Sequence, residues 1–569
     1  MTTGTLVPMQ GRREYTEPEQ VVLNHFFTNT DRNVYCPTGN MPFPVWAHLV
    51  GQYSRSDLTM RERFLEVFDS MKKKVEKKEW PAEKMVTVEQ AADAIQQSKL
   101  AVLDYFFTVS EDFLSKWGVK FGHKSLKDAD KLRVAMEGVS QVATNFIQMP
   151  DPELGDYQEK STRYVPFNDI AVIIPPRLQS SRFGASIAAN NDELMSAYKR
   201  WEPVVRGWLE ANVLDRSKFK GQVAYKQTLN AATFDIMRYF LPMGSTTAMG
   251  ATWPTRTAES HVSQMLSHEL EEVRVIGSAI LEEGIKVTPG LLKHVQQNDY
   301  FSNATQGLFN LASFALRAPE TEYHRGDRAV QRVKLIEHTP GLEDLLLTGI
   351  FYEFGNGISF EGIRSQVSGF TSEQKDEVFK TYLEKRGEHD LMLRGTKLGR
   401  FLFEFVMDNG AWRDVKRQRV GTQLKQEITA DLGFAYPEFV EDAKGLEEIK
   451  KDYERLMEQT SALHREVRNE FPHDACYIPA MGHLGRSIYE FHPRQAQYVI
   501  ELRTPEPGHT SYKTLFRDVY REIERVLPRF AKYIRPVMAD SLMGRQKAEE
   551  RAEEKQKRQL DEDKRASNE

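Results

Sequence analysis

Hydrophobic and polar residues alternate over a few short stretches of the chain, and these stretches predict its strands. The clearest covers residues 401–407, F-L-F-E-F-V-M, in which phenylalanines occupy every second position. Because side chains of a strand point alternately to its two faces, this spacing predicts a strand with one buried face. A second apolar run, I-A-V-I-I-P-P at residues 170–176, predicts another short strand.

Over most of the chain, apolar residues instead recur every three or four positions, which predicts helices. One helix is expected over residues 131–148, where these residues fall at helical spacing: Leu132, Ala135, Val139, Val142 and Phe146. A single long helix is expected over residues 253–283, with Pro254 near its start, where a missing N–H is tolerated. The same pattern predicts helices over residues 61–78, 90–117, 185–214, 225–240, 307–316, 441–471 and 512–535.

A chain of 569 residues is too long for one hydrophobic core, so we expect two domains. The organisation that we predict is a flexible arm over residues 1–20, a first domain over 21–285, a connecting segment over 286–327, a second domain over 328–540 and a charged, disordered tail over 541–569. The tail has almost no apolar residues, so it has little apolar surface to bury on folding.

The composition argues against several classes of protein. The hydrophobic content of 40% and the charged content of 28% are typical of a soluble globular protein, and the net charge of −5 argues against a dedicated nucleic-acid binder. The two cysteines, Cys36 and Cys476, exclude a disulfide framework and a cysteine-rich metal site. No segment resembles a signal peptide or a membrane span, so we expect a cytoplasmic protein without a membrane partner.

A basic cluster follows the phenylalanine strand. Its cations lie within seven residues of each other: Arg413, Lys416, Arg417 and Arg419. Such a cluster can bind phosphate, because the guanidinium group offers a planar fork of donors and stays charged at any working pH. A solvated basic turn would have the same composition, and this stretch alone leaves both interpretations open.

The two halves of the chain carry similar short motifs in the same order. In the first half F-L-P-M-G, residues 240–244, is followed by Arg256; in the second half I-P-A-M-G, residues 478–482, is followed by Arg494. The intervals from proline to arginine are 14 and 15 residues. The common order of such motifs predicts the duplication of a domain of about 200 residues.

Further motifs combine glycine, serine and arginine. In the first half they are G-H-K-S (122–125), E-G-V-S-Q (137–141), K-S-T-R-Y-V (160–165) and M-R-Y-F-L-P (237–242). In the second half they are G-A-W-R (410–413), R-Q-R (417–419) and H-P-R (492–494), with Arg503 nine residues after Arg494. They resemble the motifs of the flavin-dependent thymidylate synthases, namely G-H-x-S, G-V-S-R, R-H-R-x(7)-S-x-R-Y, A-R-x-x-L-P, and N-x-R followed nine residues later by arginine.

Each half departs from the family pattern at different positions. The first half has Gln148-Met149-Pro150 where R-H-R belongs, a three-residue insertion before its serine motif, and Gln264 or a neighbour in place of the final arginine. The second half has Q-E-I-T (426–429) in place of the serine motif, and Ala475 in place of the arginine before L-P. Together the halves retain nearly one full set: Ser161, Arg163 and Arg238 from the first, and Arg417, Arg419, Arg494 and Arg503 from the second. We therefore expect one site pooled from both halves.

The resemblance also implies a fold and an assembly. It implies an α+β protein with two flavin-dependent-thymidylate-synthase-like domains in tandem, each a small antiparallel sheet with long helices. Because the family forms a homotetramer whose sites are assembled from several subunits, a fused pair of domains is expected to form a homodimer that rebuilds this arrangement as a pseudo-tetramer.

The function implied by the resemblance is the conversion of dUMP to dTMP. Methylenetetrahydrofolate supplies the carbon, FAD supplies the hydride, and NADPH recharges the flavin. Arg503, which would bind the uracil and stabilise its developing negative charge, and Ser161 are the implied catalytic residues. The implied substrate-binding residues are Arg163, Arg238 and Arg417. The residues implied to bind FAD are His123, Gln418, Arg419, Arg494 and Arg256.

Two alternatives remain open at this point. The chain could be a flavoprotein that acts on another uracil nucleotide. It could also be a catalytically inactive paralogue that binds a nucleotide or a protein partner, left by the decay of both copies.

Overall fold

Two four-stranded antiparallel sheets, one in each half of the chain, organise the fold. The computed structural model describes residues 13–52, 56–77, 85–97, 130–149, 154–316, 332–418, 420–505 and 508–539, together with Glu550 and Glu554. Long helices surround both sheets, and none of the helices within these ranges is long and apolar enough to cross a membrane. The predicted α+β class with two domains in tandem is therefore confirmed.

In the described part of the first half, a short strand and several helices precede the other three strands of the sheet. The elements are α1 (Glu17–Phe26), β1 (Val34–Tyr35), α2 (Phe43–Gln52), α3 (Met60–Glu76), α4 (Val88–Gln97), β2 (Lys131–Ser140), α5 (Gln141–Ile147), β3 (Asp156–Glu159), α6 (Pro176–Gln179), α7 (Gly184–Asn212), α8 (Gln222–Met237), β4 (Thr246–Pro254), α9 (Thr255–Leu266), α10 (Glu271–Ile285), α11 (Pro289–Leu292) and α12 (Asp299–Ala315).

In the second half, three helices separate the first two strands. The elements are β5 (Val333–His338), α13 (Leu342–Tyr352), α14 (Phe360–Ser368), α15 (Ser372–Leu383), β6 (Phe401–Asp408), α16 (Asn409–Val415), β7 (Thr422–Lys425), α17 (Glu447–Arg468), β8 (Leu484–Phe491), α18 (Pro493–Arg503), α19 (Thr510–Val526) and α20 (Pro528–Ala531). The strand predicted from the alternating phenylalanines is β6, and its three phenylalanine rings are buried.

The two sheets have the same topology. Neighbouring strands follow the order β1-β2-β4-β3 in the first sheet and β5-β6-β8-β7 in the second. In both halves the second strand runs directly into a short helix whose first turn is capped by a side chain. Ser140 accepts a hydrogen bond from the Ala143 N–H at 2.9 Å, and Asp408 accepts one from the Ala411 N–H at 2.7 Å. This shared arrangement indicates a duplicated domain.

These helix caps correct one motif assignment. The match of residues 410–413 to G-V-S-R puts the serine of that motif four residues too late, because the structural counterpart of Ser140 is Asp408. Arg417 follows Asp408 by nine residues, as Met149 follows Ser140. The first half therefore has methionine where the second half has the first arginine of R-Q-R.

The helix expected over residues 131–148 is wrong, because this segment forms β2 followed by α5. Both faces of β2 are covered: the main core packs against one face, and a separate cluster containing Ala135 packs against the other. Polar–apolar alternation, K-L-R-V-A-M-E, marks only residues 131–137 of the strand. Gly138, with φ of +68°, forms a bulge that shifts the pairing between Glu137 and Val139. The bulge interrupts the period of two, and the resulting apolar spacing imitates a helix.

The single helix expected over residues 253–283 is also wrong. Strand β4 extends through Pro254, and two helices follow it, separated by a break between Leu266 and Glu271. A residue that precedes proline is biased toward extended backbone, which explains why Trp253 belongs to the strand. Pro254 is the cap residue of α9 and not a residue of its first turn.

The strand expected over residues 170–176 is reduced to an isolated bridge between Val172 and Ser245. Proline cannot donate to a strand ladder, and α6 begins at Pro176. The helices predicted over residues 61–78, 185–214, 225–240, 307–316, 441–471 and 512–535 are confirmed, with boundaries that differ by several residues. Of the helix predicted over 90–117, α4 forms the described part, and the remainder lies outside the described residues.

Two predicted flexible segments are described only in part. Helix α1 begins at Glu17, inside the arm predicted over residues 1–20, whose first 12 residues lie outside the described ones. In the predicted disordered tail, Glu550 and Glu554 accept hydrogen bonds from the backbone and the side chain of Lys220, and the other residues beyond position 539 lie outside the described ones. The domain boundaries themselves remain predictions.

The two halves are joined at the repeated leucine-proline and isoleucine-proline motifs. Two reciprocal backbone hydrogen bonds of 2.8 Å connect these motifs: the Met243 N–H donates to Pro479, and the Met481 N–H donates to Leu241. Helices α7 and α17 pack against each other beside this junction, and the largest core cluster contains residues of both halves. The junction therefore fixes the loops of one half against the helices of the other.

Candidate active site

A cavity of about 220 Å³ lies where the two halves meet. The residues that line it are Gln158, Glu159, Ser161, Thr162, Arg163, Tyr164 and Arg238 from the first half, and Arg413, Asp414 and Arg417 from the second. Four residues predicted from the motifs are thus brought together in one wall: Ser161, Arg163, Arg238 and Arg417. The expectation that the halves pool their remaining cations agrees with this arrangement, whereas the role of each residue stays a prediction.

The turn after β3 supplies the serine and one arginine. Ser161 accepts a hydrogen bond from the Arg163 N–H at 3.2 Å, which fixes the turn. The Arg163 guanidinium binds Asp235 with two hydrogen bonds, Nε to Oδ1 at 2.6 Å and Nη2 to Oδ2 at 3.0 Å. Burial by itself lowers the pKa of Arg163, but the Asp235 carboxylate outweighs it and raises that pKa. This arginine is a fixed cation at the edge of the cavity.

Arg238 is the most deeply buried cation of the cavity, with 1% of its surface exposed. It follows α8 in a short 3-10 turn, and its Nη1 lies 3.8 Å from Oδ2 of Asp414. Within the described part of the chain, its Nε and Nη2 have no hydrogen-bond partner. The guanidinium lies directly against Gly410, where an added Cβ would come within 3.0 Å of Nε. A buried charge with unsatisfied donors is costly, so this geometry indicates a site for an anion.

Helix α16 supplies the cations of the second half. Arg413 donates to Thr162 Oγ1 at 2.6 Å and to the Lys160 carbonyl at 2.9 Å, and forms an ion pair of 2.7 Å with Glu159. Burial raises the pKa of Glu159, but Arg413 and Lys416 outweigh this effect, so the pKa is lowered and the carboxylate stays charged. These contacts dock α16 onto the strand β3 of the other half.

Part of the basic cluster is buried at the contact between the two halves. Lys416 is 4% exposed, and its Nζ contacts Asn145 Oδ1 at 3.2 Å and Thr144 Oγ1 at 3.4 Å. Burial lowers the pKa of Lys416 to about 7; the Glu159 carboxylate opposes this shift, and the positive charge of Arg413 adds to it. Arg413 and Lys416 are therefore buried, whereas the Arg417 side chain is 39% exposed.

Asp414 lies between cations of both halves. Its carboxylate forms an ion pair with Arg417, one helical turn away, and lies 3.8 Å from Arg238 and 3.9 Å from Nη1 of Arg503. Burial alone would raise the pKa of Asp414, but these guanidinium groups, with that of Arg163, hold the pKa well below its usual range. The residue was not singled out from the sequence. The i, i+3 spacing between Asp414 and Arg417, which is typical of an ion pair on a helix, could have indicated it.

Arg503 and Gln418 lie behind Asp414 and do not line the cavity. The Arg503 Nη2 donates to the Asp414 carbonyl at 2.8 Å, and its guanidinium carbon lies 5.4 Å from the centre of the Tyr512 ring. With its amide oxygen turned toward this guanidinium, Gln418 accepts hydrogen bonds of 2.7 and 3.1 Å from it. The predicted roles, uracil binding for Arg503 and FAD binding for Gln418, stay predictions.

Two of the predicted cofactor residues lie away from the cavity. Arg256 is in the first turn of α9, whereas the cavity residue Glu159 pairs with Met249, five strand residues before the end of β4. At about 3.3 Å per residue, the distance along the strand is roughly 17 Å. Arg494 lies in the first turn of α18 and Arg503 is its last residue, so the two arginines are separated by roughly 13 Å along the helix axis. His123 and Arg419 lie outside the described residues.

The equivalent position of the opposite half lacks these charges. Helix α5 carries Phe146, and the chain after it carries Met149, where α16 and its continuation carry an aspartate and an arginine, while Ala475 replaces the arginine before L-P. Phe146 stacks on His261 with ring centroids 5.2 Å apart and contacts His268 at 4.4 Å. Burial lowers the pKa of His261 to about 4, so the ring is neutral at physiological pH. One position has kept its cations and the other has been filled by aromatic rings.

Comparison with known proteins supports the family resemblance. Residues 70–290 match the family model of thymidylate synthase complementing protein. The UPF0159 protein of Chlamydia pneumoniae is 26% identical over 95% of this chain and 98% of its own length, and that of Chlamydia muridarum is 25% identical over the same shares. The flavin-dependent thymidylate synthase of Clostridium tetani is 23% identical over 35% of this chain and 75% of its own length. The resemblance is confirmed, whereas the UPF0159 names assign no activity.

Proposed function

We propose that the protein is a flavin-dependent thymidylate synthase, because residues 70–290 match the family model of thymidylate synthase complementing protein. It would convert dUMP to dTMP with methylenetetrahydrofolate as carbon donor and with FAD that NADPH recharges. The observation that carries the proposal is the buried guanidinium of Arg238, whose Nε and Nη2 have no partner among the described residues and which lines a cavity with three other arginines.

The cavity suits the phosphate of a mononucleotide. Arg238 lines the cavity with Arg163, Arg413 and Arg417, and the guanidinium forks of this wall can bind phosphate oxygens. Arg163 and Arg413 are held by carboxylates and backbone groups before a ligand arrives, so little side-chain entropy is lost on binding. The Ser161 hydroxyl, which lines the same wall, would bind the phosphate or the sugar.

The described residues fit the nucleotide better than the flavin. The cavity, at about 220 Å³, is smaller than the roughly 300–1,000 Å³ of common small-molecule sites, and FAD is much larger than a mononucleotide. Arg256 and Arg494, which the motifs assign to the flavin, lie beyond the wall of the cavity. The described residues of one chain therefore support nucleotide binding more than flavin binding.

We propose that a second copy of the chain completes the flavin site in a homodimer. This proposal predicts that the flavin content of the purified protein, read from its absorbance spectrum, rises together with the dimer fraction as protein concentration increases in analytical ultracentrifugation. A monomer that binds FAD stoichiometrically would contradict it. A control titration with riboflavin, which lacks the ADP moiety of FAD, distinguishes specific binding from hydrophobic adsorption.

The proposed reaction predicts release of tritium from dUMP labelled at C5, because methylation at that carbon replaces its hydrogen. Release is expected to require methylenetetrahydrofolate, FAD and NADPH together. The Arg182→Gln variant, which alters an exposed arginine paired with Glu470, serves as a matched control and should retain full activity. If dUMP raises the melting temperature but loses no label, the protein is a nucleotide-binding paralogue or acts on another uracil nucleotide. If dUMP neither raises the melting temperature nor loses its label, the proposed function is wrong.

A further inference from the structure

An anion of the protein itself already lies among the cations that we assign to the nucleotide phosphate. Asp414 is buried, lines the cavity and faces the guanidinium groups of Arg417, Arg238 and Arg503. Its carboxylate oxygens are close to the position where phosphate oxygens would bind. The negative charge of Asp414 therefore limits how much negative charge a ligand in the cavity can carry.

Counting the charges around the cavity gives a definite result. Five guanidinium groups belong to the cluster: Arg163, Arg238, Arg413, Arg417 and Arg503. Three carboxylates pair with them: Asp235, Glu159 and Asp414. Among these arginines and carboxylates two positive charges remain uncompensated, and the buried Lys416 lies beside the same cluster. A phosphate monoester carries about −1.5 to −2 at neutral pH, because its second pKa is about 6, whereas a diphosphate carries more negative charge.

We propose that Asp414 determines the charge of the ligand, matching the cavity to a phosphate monoester and disfavouring diphosphates and triphosphates. This inference rests on the proposed function only in that the cavity takes the phosphate of a nucleotide. Without the carboxylate, the cluster would carry a further positive charge and would favour the more highly charged ligands. Asp414 would thus be a specificity-determining residue for a monophosphate substrate.

The geometry argues against the alternative that Asp414 only holds the arginines in place. Its carboxylate lies beyond hydrogen-bond distance of Arg238 and of Arg503. Arg503 is held instead by the Asp414 backbone carbonyl, a contact that any residue at position 414 would retain. Arg238 is positioned by its 3-10 turn and by its packing on Gly410. Removal of the carboxylate charge is therefore expected to leave Arg238 and Arg503 where they are, whereas Arg417 loses its ion pair with Asp414.

The experiment compares the full chain with the Asp414→Asn and Asp414→Glu variants by isothermal titration calorimetry. The probes are inorganic phosphate, pyrophosphate, dUMP and dUDP at fixed pH and ionic strength. Asp414→Asn is expected to bind pyrophosphate and dUDP at least tenfold tighter than the unmodified protein, with a smaller gain for phosphate and dUMP. Asp414→Glu, which keeps the charge, should retain the preference for dUMP over dUDP. Asp431→Asn, which removes an equal charge at the surface ion pair with Arg468, should change no affinity by more than twofold.

Two results would overturn the inference. One is an Asp414→Asn variant with native circular dichroism whose preference between monophosphate and diphosphate is unchanged. The other needs no variant, so it applies even if substitution prevents folding: binding of dUDP by the unmodified protein more than tenfold tighter than dUMP. The proposed reaction fails independently if this charge preference is observed and no tritium is released. If no phosphate compound binds to any of the proteins, both proposals are wrong.

Discussion

Replacing Arg238 with glutamine is expected to lower kcat/KM for dUMP by at least about 100-fold. Its guanidinium is the most deeply buried cation of the cavity wall, and its Nε and Nη2 have no partner among the described residues, so we expect a phosphate to compensate its charge. A hydrogen bond to a charged group contributes roughly 1.5–3 kcal/mol, and about 2.7 kcal/mol corresponds to a factor of 100 in rate. The measurement is the initial rate of tritium release at several dUMP concentrations, with calorimetric titration of dUMP as a second readout.

A stability measurement separates binding from folding in this variant. Arg238 lies 3.8 Å from Asp414, and that carboxylate keeps its ion pair with Arg417 in the variant, so the melting temperature of Arg238→Gln should change little. Arg182→Gln, an exposed substitution of the same kind, should leave both rate and affinity unaltered. A rate for Arg238→Gln within threefold of the unmodified protein would show that the cavity does not bind the substrate phosphate.

Replacing Arg61 with alanine is expected to destabilise the first domain by roughly 3–5 kcal/mol, because it removes a buried cation that lies beside the buried carboxylate of Glu137. Arg61 is 1% exposed and donates to the Asn29 and Arg32 carbonyls at 3.1 and 2.9 Å. Its guanidinium carbon lies 4.0 Å from the centre of the Tyr35 ring, and one nitrogen lies 4.0 Å from Glu137. The substitution removes all these contacts together.

Guanidinium denaturation, followed by circular dichroism, measures this effect as a shift of the transition midpoint. Lys73→Ala, an exposed substitution on the same helix α3, should change the free energy of unfolding by less than about 0.5 kcal/mol. Addition of Glu137→Gln to Arg61→Ala should recover part of the loss, because it removes the buried negative charge that Arg61 faces in the unmodified protein. A loss below 1 kcal/mol for Arg61→Ala would mean that water solvates Glu137 in the variant, so the site is not dry.

The pooling of the site could be predicted from the sequence because each half has lost different parts of the same motif set. Ser161 and Arg238 survive only in the first half, and Arg417 only in the second, so a common site required their combination. The structure brings these three residues to one cavity. What the motifs could not indicate is that Arg503 lies behind Asp414, because the position of Asp414 depends on how α16 packs against the first half.

The elements that were predicted wrongly share a physical cause. In strand β2, polar and apolar residues alternate only over residues 131–137, and the bulge at Gly138 then interrupts the period of two, so the apolar residues of the whole segment also fall at helical spacing. At Pro254 the local rule for a helix start was satisfied, but pairing with β2 extends the strand β4 up to the proline. In both cases a neighbouring strand decided between two conformations that the local sequence allows.

The sequence by itself determined the fold class, the duplication and the set of charged residues available for a phosphate site. These features follow from periodicity, motif order and residue type, which are properties of short segments. Only the tertiary structure decided which arginines share a cavity, which ones carboxylates neutralise, and which one keeps unpartnered donors. The reason is that burial and pairing depend on distances between segments more than 150 residues apart in the chain, as between Arg238 and Asp414.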